Sequence, residues 1–569
     1  YSFDGATTIT AASGDNIDIA AGSDTTFTTD ADNITFATAN IALADGSDLT
    51  VDTGAAGGNI TIGEIAGTSV ETVTLDAGSG TTSVGVIGSG TEIGAVSIGS
   101  AENGGITLNG AITTDGSVTI DGPVTLATGA ISVTTANDAI TFNHTIDGAQ
   151  ALTLVSGTAA TTITGNIGAG TALTGLTITN GTANGTITFG GNIGDGSGAG
   201  VEGTTSIGNT NTADLNFNST IYSFDGATTI TAASGDNIDI AAGSDTTFTT
   251  DADNITFATA NIALADGSDL TVDTGAAGGN ITIGEIAGTS VETVTLDAGS
   301  GTTSVGVIGS GTEIGAVSIG SAENGGITLN GAITTDGSVT IDGPVTLATG
   351  AISVTTANDA ITFNHTIDGA QALTLVSGTA ATAIQGEIGG NTAISSLTIT
   401  NGTANGTIEI SNIGGVTGAT AIGNTNTGTI TLDGTAYTTT GTQTYTAATG
   451  QNIDITGAAT FTTTNSNIAF NTSGVDLANN GTTTINTGAG AGTVTFGAAI
   501  EGNSASSPFN DLLVITSGTG DVTFTGAIGA TNALGGLSVN ESSGNGDITF
   551  TSTIGAVSYT HLTLPTNDV

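Results

Sequence analysis

The chain repeats itself. Tyr1–Thr161 recurs without a change as Tyr222–Thr382, 221 positions further on. A third, diverged copy opens at Tyr437, where YTTTGTQTYTAATGQNIDITGAATFTTTNSNIAF aligns with YSFDGATTITAASGDNIDIAAGSDTTFTTDADNITF from Tyr1. A unit set end to end with itself buries its apolar face against its neighbours, which favours a long modular fold over one closed core. It also weighs against an enzyme, whose chemistry depends on a few unique residues in one unique cleft. The long units run over 1–221 and 222–436, with a partial third over 437–556.

A finer beat lies inside each unit. Triplets of apolar, Thr/Ser/Asp and apolar residues recur: Ile17-Asp18-Ile19, Ile34-Thr35-Phe36, Ile60-Thr61-Ile62, Val73-Thr74-Leu75, Val118-Thr119-Ile120. Gly, Asn, Asp and Ser fill the spaces between them. Strict alternation in short β-branched runs, broken by turn formers, predicts many short strands with one buried face. Like residues also return at a coil-like step: 21 from Phe142 to Ile163, 26 from Ile163 to Phe189, 28 from Phe496 to Phe524, 26 from Phe524 to Phe550 and from Ile528 to Ile554. A repeat of this size with two or three strands suits one turn of a parallel β-solenoid, each turn adding about 4.8 Å. The expected fold is all-β, a parallel β-helix built from tandem repeats, with the variable coil length taken up in loops.

Composition narrows the partners. There is no Lys or Arg against 50 Asp plus Glu, a net charge of -50, although only 9% of residues are charged. Nucleic acid and anionic lipid are excluded by the lack of any basic patch. On this composition no internal salt bridge is possible, so apolar stacking and backbone hydrogen bonds must carry stability. The absence of Cys removes disulfides and thiolate chemistry. No apolar run is long enough for a membrane-spanning helix, so direct membrane insertion is not expected of this piece. The chain opens inside a repeat without an initiator Met and reads as part of a longer protein, its targeting and anchoring ends elsewhere. At the other end VSYTHLTLPT, Val557–Thr566, breaks the repeat style and reads as translated sequencing-adaptor DNA. Residues 557–569 are therefore set apart as a non-native tail.

Three modules carry a resemblance: Ala139–Thr158 (AITFNHTIDGAQALTLVSGT), Gly520–Val539 (GDVTFTGAIGATNALGGLSV) and Gly546–Gly555 (GDITFTSTIG). They resemble the β-strand repeat regions of large bacterial exoproteins of the filamentous-haemagglutinin and autotransporter-passenger type. The resemblance lies in strand and turn chemistry and covers nearly the whole chain to about Ala556. It implies a right-handed parallel β-helix exported to the cell surface, acting in adhesion or biofilm contact.

Candidate sites are sparse, and no catalytic, cofactor-binding or metal-binding residue is nominated. His occupies one repeat position, His144 and its copy His365, besides His561 in the tail. Other modules hold Gly165, Gly191, Ala498, Gly526 and Ser552 in that slot, which places His at a corner as a decoration and leaves no Ser-His-Asp triad. Acidic residues cluster at Asp15/Asp18/Asp24, Asp30/Asp32 and Asp45/Asp48/Asp52, with copies at Asp236/Asp239/Asp245. Weak surface calcium is the one ion chemistry this charge balance favours, although no EF-hand loop is present and Asn192–Gly198 (NIGDGSG) only echoes the calcium-binding β-roll repeat. Asn-x-Thr triplets such as Asn33-Ile34-Thr35 and Asn180-Gly181-Thr182 occur at the rate chance gives a chain rich in both residues. The Gly54–Gly58 stretch lacks the Lys of a phosphate loop.

The function expected is a non-enzymatic, secreted or cell-surface, adhesin-like stalk that meets a surface receptor or glycan. The alternatives are a polysaccharide-cleaving β-helix enzyme, which the absence of Arg and Lys disfavours, and an ice- or mineral-binding surface, which the irregular coil length disfavours.

Overall fold

The computed structural model describes residues 1–555 apart from 103, 182, 183, 242, 244, 324, 404, 479, 504–508 and 542–545; the 557–569 tail and His561 lie outside them. It divides into two units, Tyr1–Ile286 and Ala287–Val569. Both are all-β, with no helix among the described residues, and their strands stack in parallel as a β-solenoid of about 22 turns in all.

A stretch of the first unit shows how the triplets become coils. Strand Val118–Asp121 buries Val118 and Ile120 and leaves Thr119 outside; Val124–Leu126 and Ile131–Thr135 alternate the same way. Each pairs with the strand three places on, Val118 with Ile140, Val124 with Ile146 and Ile131 with Leu152, so one turn holds three strands. The expected registers hold. Phe142 lies against Ile163 and Ile163 against Phe189. In the second unit Phe496 lies against Phe524, and Phe524 against Phe550. A parallel register puts like side chains over one another, so the interior is a set of columns. In the second unit Tyr445, Phe470, Phe496, Phe524 and Phe550 form one such column, with successive ring centroids 5.0, 5.1, 5.4 and 4.9 Å apart and the rings nearly parallel. Each stacked pair adds about 0.5–1.5 kcal/mol beyond its buried area.

The corners explain the Asn and Asp between triplets. A backbone N–H that leaves the strand ladder needs another acceptor, and a short amide or carboxylate one coil back supplies it. Asn33 Oδ1 accepts from Asn59 N at 2.7 Å, and Asn59 Oδ1 from Thr81 N at 2.9 Å. In the second unit Asn467 accepts from Thr493 N and Asp521 from Asp547 N, both at 2.9 Å.

Candidate functional site: an uncharged hydroxyl face

One side of each unit is lined by hydroxyls. In the first, Ser132, Thr153, Thr177, Ser206, Thr229, Thr256 and Thr282 follow one another in an unbroken outward column, each opposite the next. Two residues along the strands a flanking column includes Thr134, Val155 and Thr179, and further on Thr231 and Ala258. In the second unit the equivalent column is Ser353, Thr374, Thr398, Ala421, Thr444, Ala469, Thr495, Thr523 and Thr549. None of these positions is charged, in a chain that carries 50 carboxylates. Beneath the hydroxyls the intervening residues, such as Leu154, Ile178 and Ile230, are fully buried. The face is therefore a regular grid of hydroxyls and methyls on a rigid backing. Coils repeat at about 4.8 Å, and alternate residues along a strand at about 6.6 Å.

The carboxylates lie elsewhere, and many are committed to turns. Asp24 Oδ1 accepts from Asp48 N at 3.3 Å, Asp48 Oδ1 from Thr72 N at 2.8 Å, and Asp52 Oδ1 from Gly54 N at 2.7 Å. Asp15 follows a turn, and Asp18 points outward from strand Asn16–Ile19. The backbone carbonyls of Asp32 and Asp45 accept from Thr29 Oγ1 and Gly22 N, while Asp30 is exposed. Among the described residues no three of His, Asp and Glu converge closely enough to hold a metal ion. Of the copies, Asp239 is half-buried on its strand, and burial, with Asp214 nearby, raises its carboxyl above the ordinary range. Asp195, within NIGDGSG, turns back on its own loop. Its Oδ1 accepts from Ser197 N and Ser197 Oγ at 2.8 Å and from Gly198 N at 3.1 Å, which lowers its pKa.

His144 does sit at a corner. A Cβ on Gly165 in the next coil would lie 2.2 Å from the His144 carbonyl carbon, which explains the glycine there, as the same close approach does at Gly191 and Gly526. The imidazole is more than a decoration, however. His144 Nε2 lies 3.3 Å from Asp121 Oδ1 one coil back, and His365 repeats this with Asp342 at 3.2 Å. Internal ion pairs thus form whenever these rings are protonated, contrary to the expectation drawn from the lack of Lys and Arg. Asn180, the acceptor position of its glycosylation triplet, is fully buried and donates to Ser156 O and Oγ.

Sequence reasoning overlooked Glu71. It is fully buried and accepts from Thr68 N at 2.5 Å, Thr68 Oγ1 and Gly46 N at 3.2 Å. Three donors from two turns substitute for water, and the carboxylate clasps those turns together.

No protein-family model, curated protein or solved structure matches the chain. Fold and surface define a class, the tandem-repeat β-solenoids.

Proposed function

We propose that this protein is a non-enzymatic, adhesin-like surface stalk, of the secreted or cell-surface kind that the filamentous-haemagglutinin and autotransporter resemblance implies, and that the uncharged hydroxyl face makes its contacts. The observation that supports this is the sorting of charge. A chain of net charge -50 keeps its carboxylates off whole outward columns, among them the face column of each unit. Contact with a neutral glycan or hydroxylated surface through that column desolvates no ion, whereas contact through the acidic sides would. Long-range repulsion from other acidic surfaces is screened within about 8 Å at physiological salt, so a neutral strip suffices for close approach.

The test compares two variants of equal charge. Thr153→Asp/Thr177→Asp/Thr229→Asp alters the face; Thr188→Asp/Asn216→Asp/Ala263→Asp alters the stretch of a neighbouring column of the same unit that already carries Asp239. Beads coated with the face variant should be washed from dextran-coated glass at least about tenfold more readily than parent beads, and the control variant should behave as the parent. Equal loss in both variants would reduce the effect to net charge.

One observation also favours the ice- or mineral-binding alternative. Coil length varies, from 21 residues between Ser132 and Thr153 to 29 between Thr177 and Ser206, yet the column continues unbroken because loops absorb the difference. The irregularity that argues against a lattice-matched face is absent from the face itself. Scored for suppression of ice recrystallisation, the same pair of variants separates this reading from adhesion to glycans.

A further inference from the structure

The two units differ at one corner. Ile193 and Val201 pair from Ile167 and Leu173, as Ile413 and Val416 pair from Ile388 and Ile394. Seven residues, 194–200, thus span in the first unit what Gly414 and Gly415 span in the second. Insertions of this kind leave a solenoid's coils intact and build its binding loops. The loop is held in shape by the three hydrogen bonds to Asp195 Oδ1 and by Gly200 N donating to Ser223 O at 2.9 Å. Between it and the following coils lies a crevice of about 390 Å³, lined by Gly196, Ser197, Ser223, Asp225, Thr249 and Asp251 among others. That is the small end of the about 300–1,000 Å³ range of ligand clefts, room for a single ring with a few substituents.

We propose that this crevice binds a hexosamine, a sugar residue with a free ammonium group. The carboxylates of Asp225 and Asp251 are exposed, and no described residue donates a hydrogen bond to either side chain. Thr249 Oγ1 donates to Ser223 Oγ at 3.0 Å, which leaves the Ser223 hydroxyl hydrogen free to donate outward. Phe224 is 1% exposed and gives no aromatic platform, so recognition rests on charge and hydrogen bonds. A uronic acid or phosphate finds no Lys or Arg to meet it. An ammonium group answers the two carboxylates, and ring hydroxyls answer Ser197, Ser223 and Thr249. The inference rests on the loop and these carboxylates and is independent of the adhesive reading of the hydroxyl face.

The full chain is titrated calorimetrically with glucosamine at about 0.15 M salt, where diffuse attraction to the acidic surface is screened beyond about 8 Å. N-acetylglucosamine, glucose and glucuronate serve as comparisons. One saturable site per chain is expected for glucosamine, with each comparison sugar at least about tenfold weaker. Asp225→Asn/Asp251→Asn should weaken glucosamine by about tenfold or more, and Asp454→Asn/Asp476→Asn, which removes two carboxylates from the second unit, should not. Asn has the shape of Asp at all four positions, and an unchanged circular dichroism spectrum checks folding. Absent or non-saturating binding, or equal effects of the two variants, overturns the proposal. Retention of the Asp225→Asn/Asp251→Asn variant on dextran reports on the hydroxyl face separately.

Discussion

Asp454, Asp476 and Glu501 share one outward column of the second unit, each opposite the next. Burial raises the carboxyls of Asp454 and Asp476 above the ordinary range; at Asp476 the charges of Asp454 and Glu501 add to it. Asn452 Nδ2 donates to Asp476 Oδ2 at 2.8 Å, holding the group without neutralising it. A carboxyl whose folded pKa lies above its unfolded value binds its proton more tightly in the fold. The resulting penalty is full above the raised pKa and disappears as pH falls through it to the ordinary value of 3.8. Asp476→Asn should therefore raise the urea midpoint at pH 7, and the advantage over the parent should shrink as pH falls to about 4. An advantage that is constant over this range, or a variant less stable at pH 7, contradicts the ladder's assigned cost.

Strands of this chain divide their work between faces, and substitutions should report that. Phe524 is 1% exposed, in mid-column between Phe496 and Phe550. Phe524→Ala should cost about 3–5 kcal/mol, because it removes stacking on both sides and leaves a cavity that the coils cannot close. Thr523→Ala, one residue away on the outer face, should stay within about 0.5 kcal/mol. Urea unfolding of the two variants checks this; equal destabilisation would mean the alternation of faces is wrong. The inner columns were legible in the sequence because Phe142, Ile163 and Phe189 must recur at coil intervals to stack. The third strand of each turn was harder to read. Ile146–Asp147 is only two residues, and Ile167 and Ile193 contribute single bridges, too short for any alternation to show. Without that third side the triplets could not be assigned to faces, so the uncharged column stayed hidden. His144 and Asp121 likewise lie 23 positions apart, and only the coil brings them together. The 194–200 insertion was visible as NIGDGSG, but its Asp bonds its own loop through Oδ1.

Within each unit every step of the register is one turn of a parallel coil. The charge-sorted face and the crevice both follow from it. The outward column Thr8, Thr35, Thr61, Ser83, Thr107 and Thr125 in the first unit offers a ruler, each residue opposite the next. The chain has no Cys, so pairs introduced at these positions label without ambiguity. Spin labels at Thr125→Cys, combined in turn with Thr107→Cys, Ser83→Cys, Thr61→Cys, Thr35→Cys and Thr8→Cys, are read by electron paramagnetic resonance. The separation should grow by about 4.8 Å with each coil and reach about 24 Å across five, within the spread of the label linkers. Distances that fail to rise with coil number, or that level off after one or two steps, would contradict the solenoid itself.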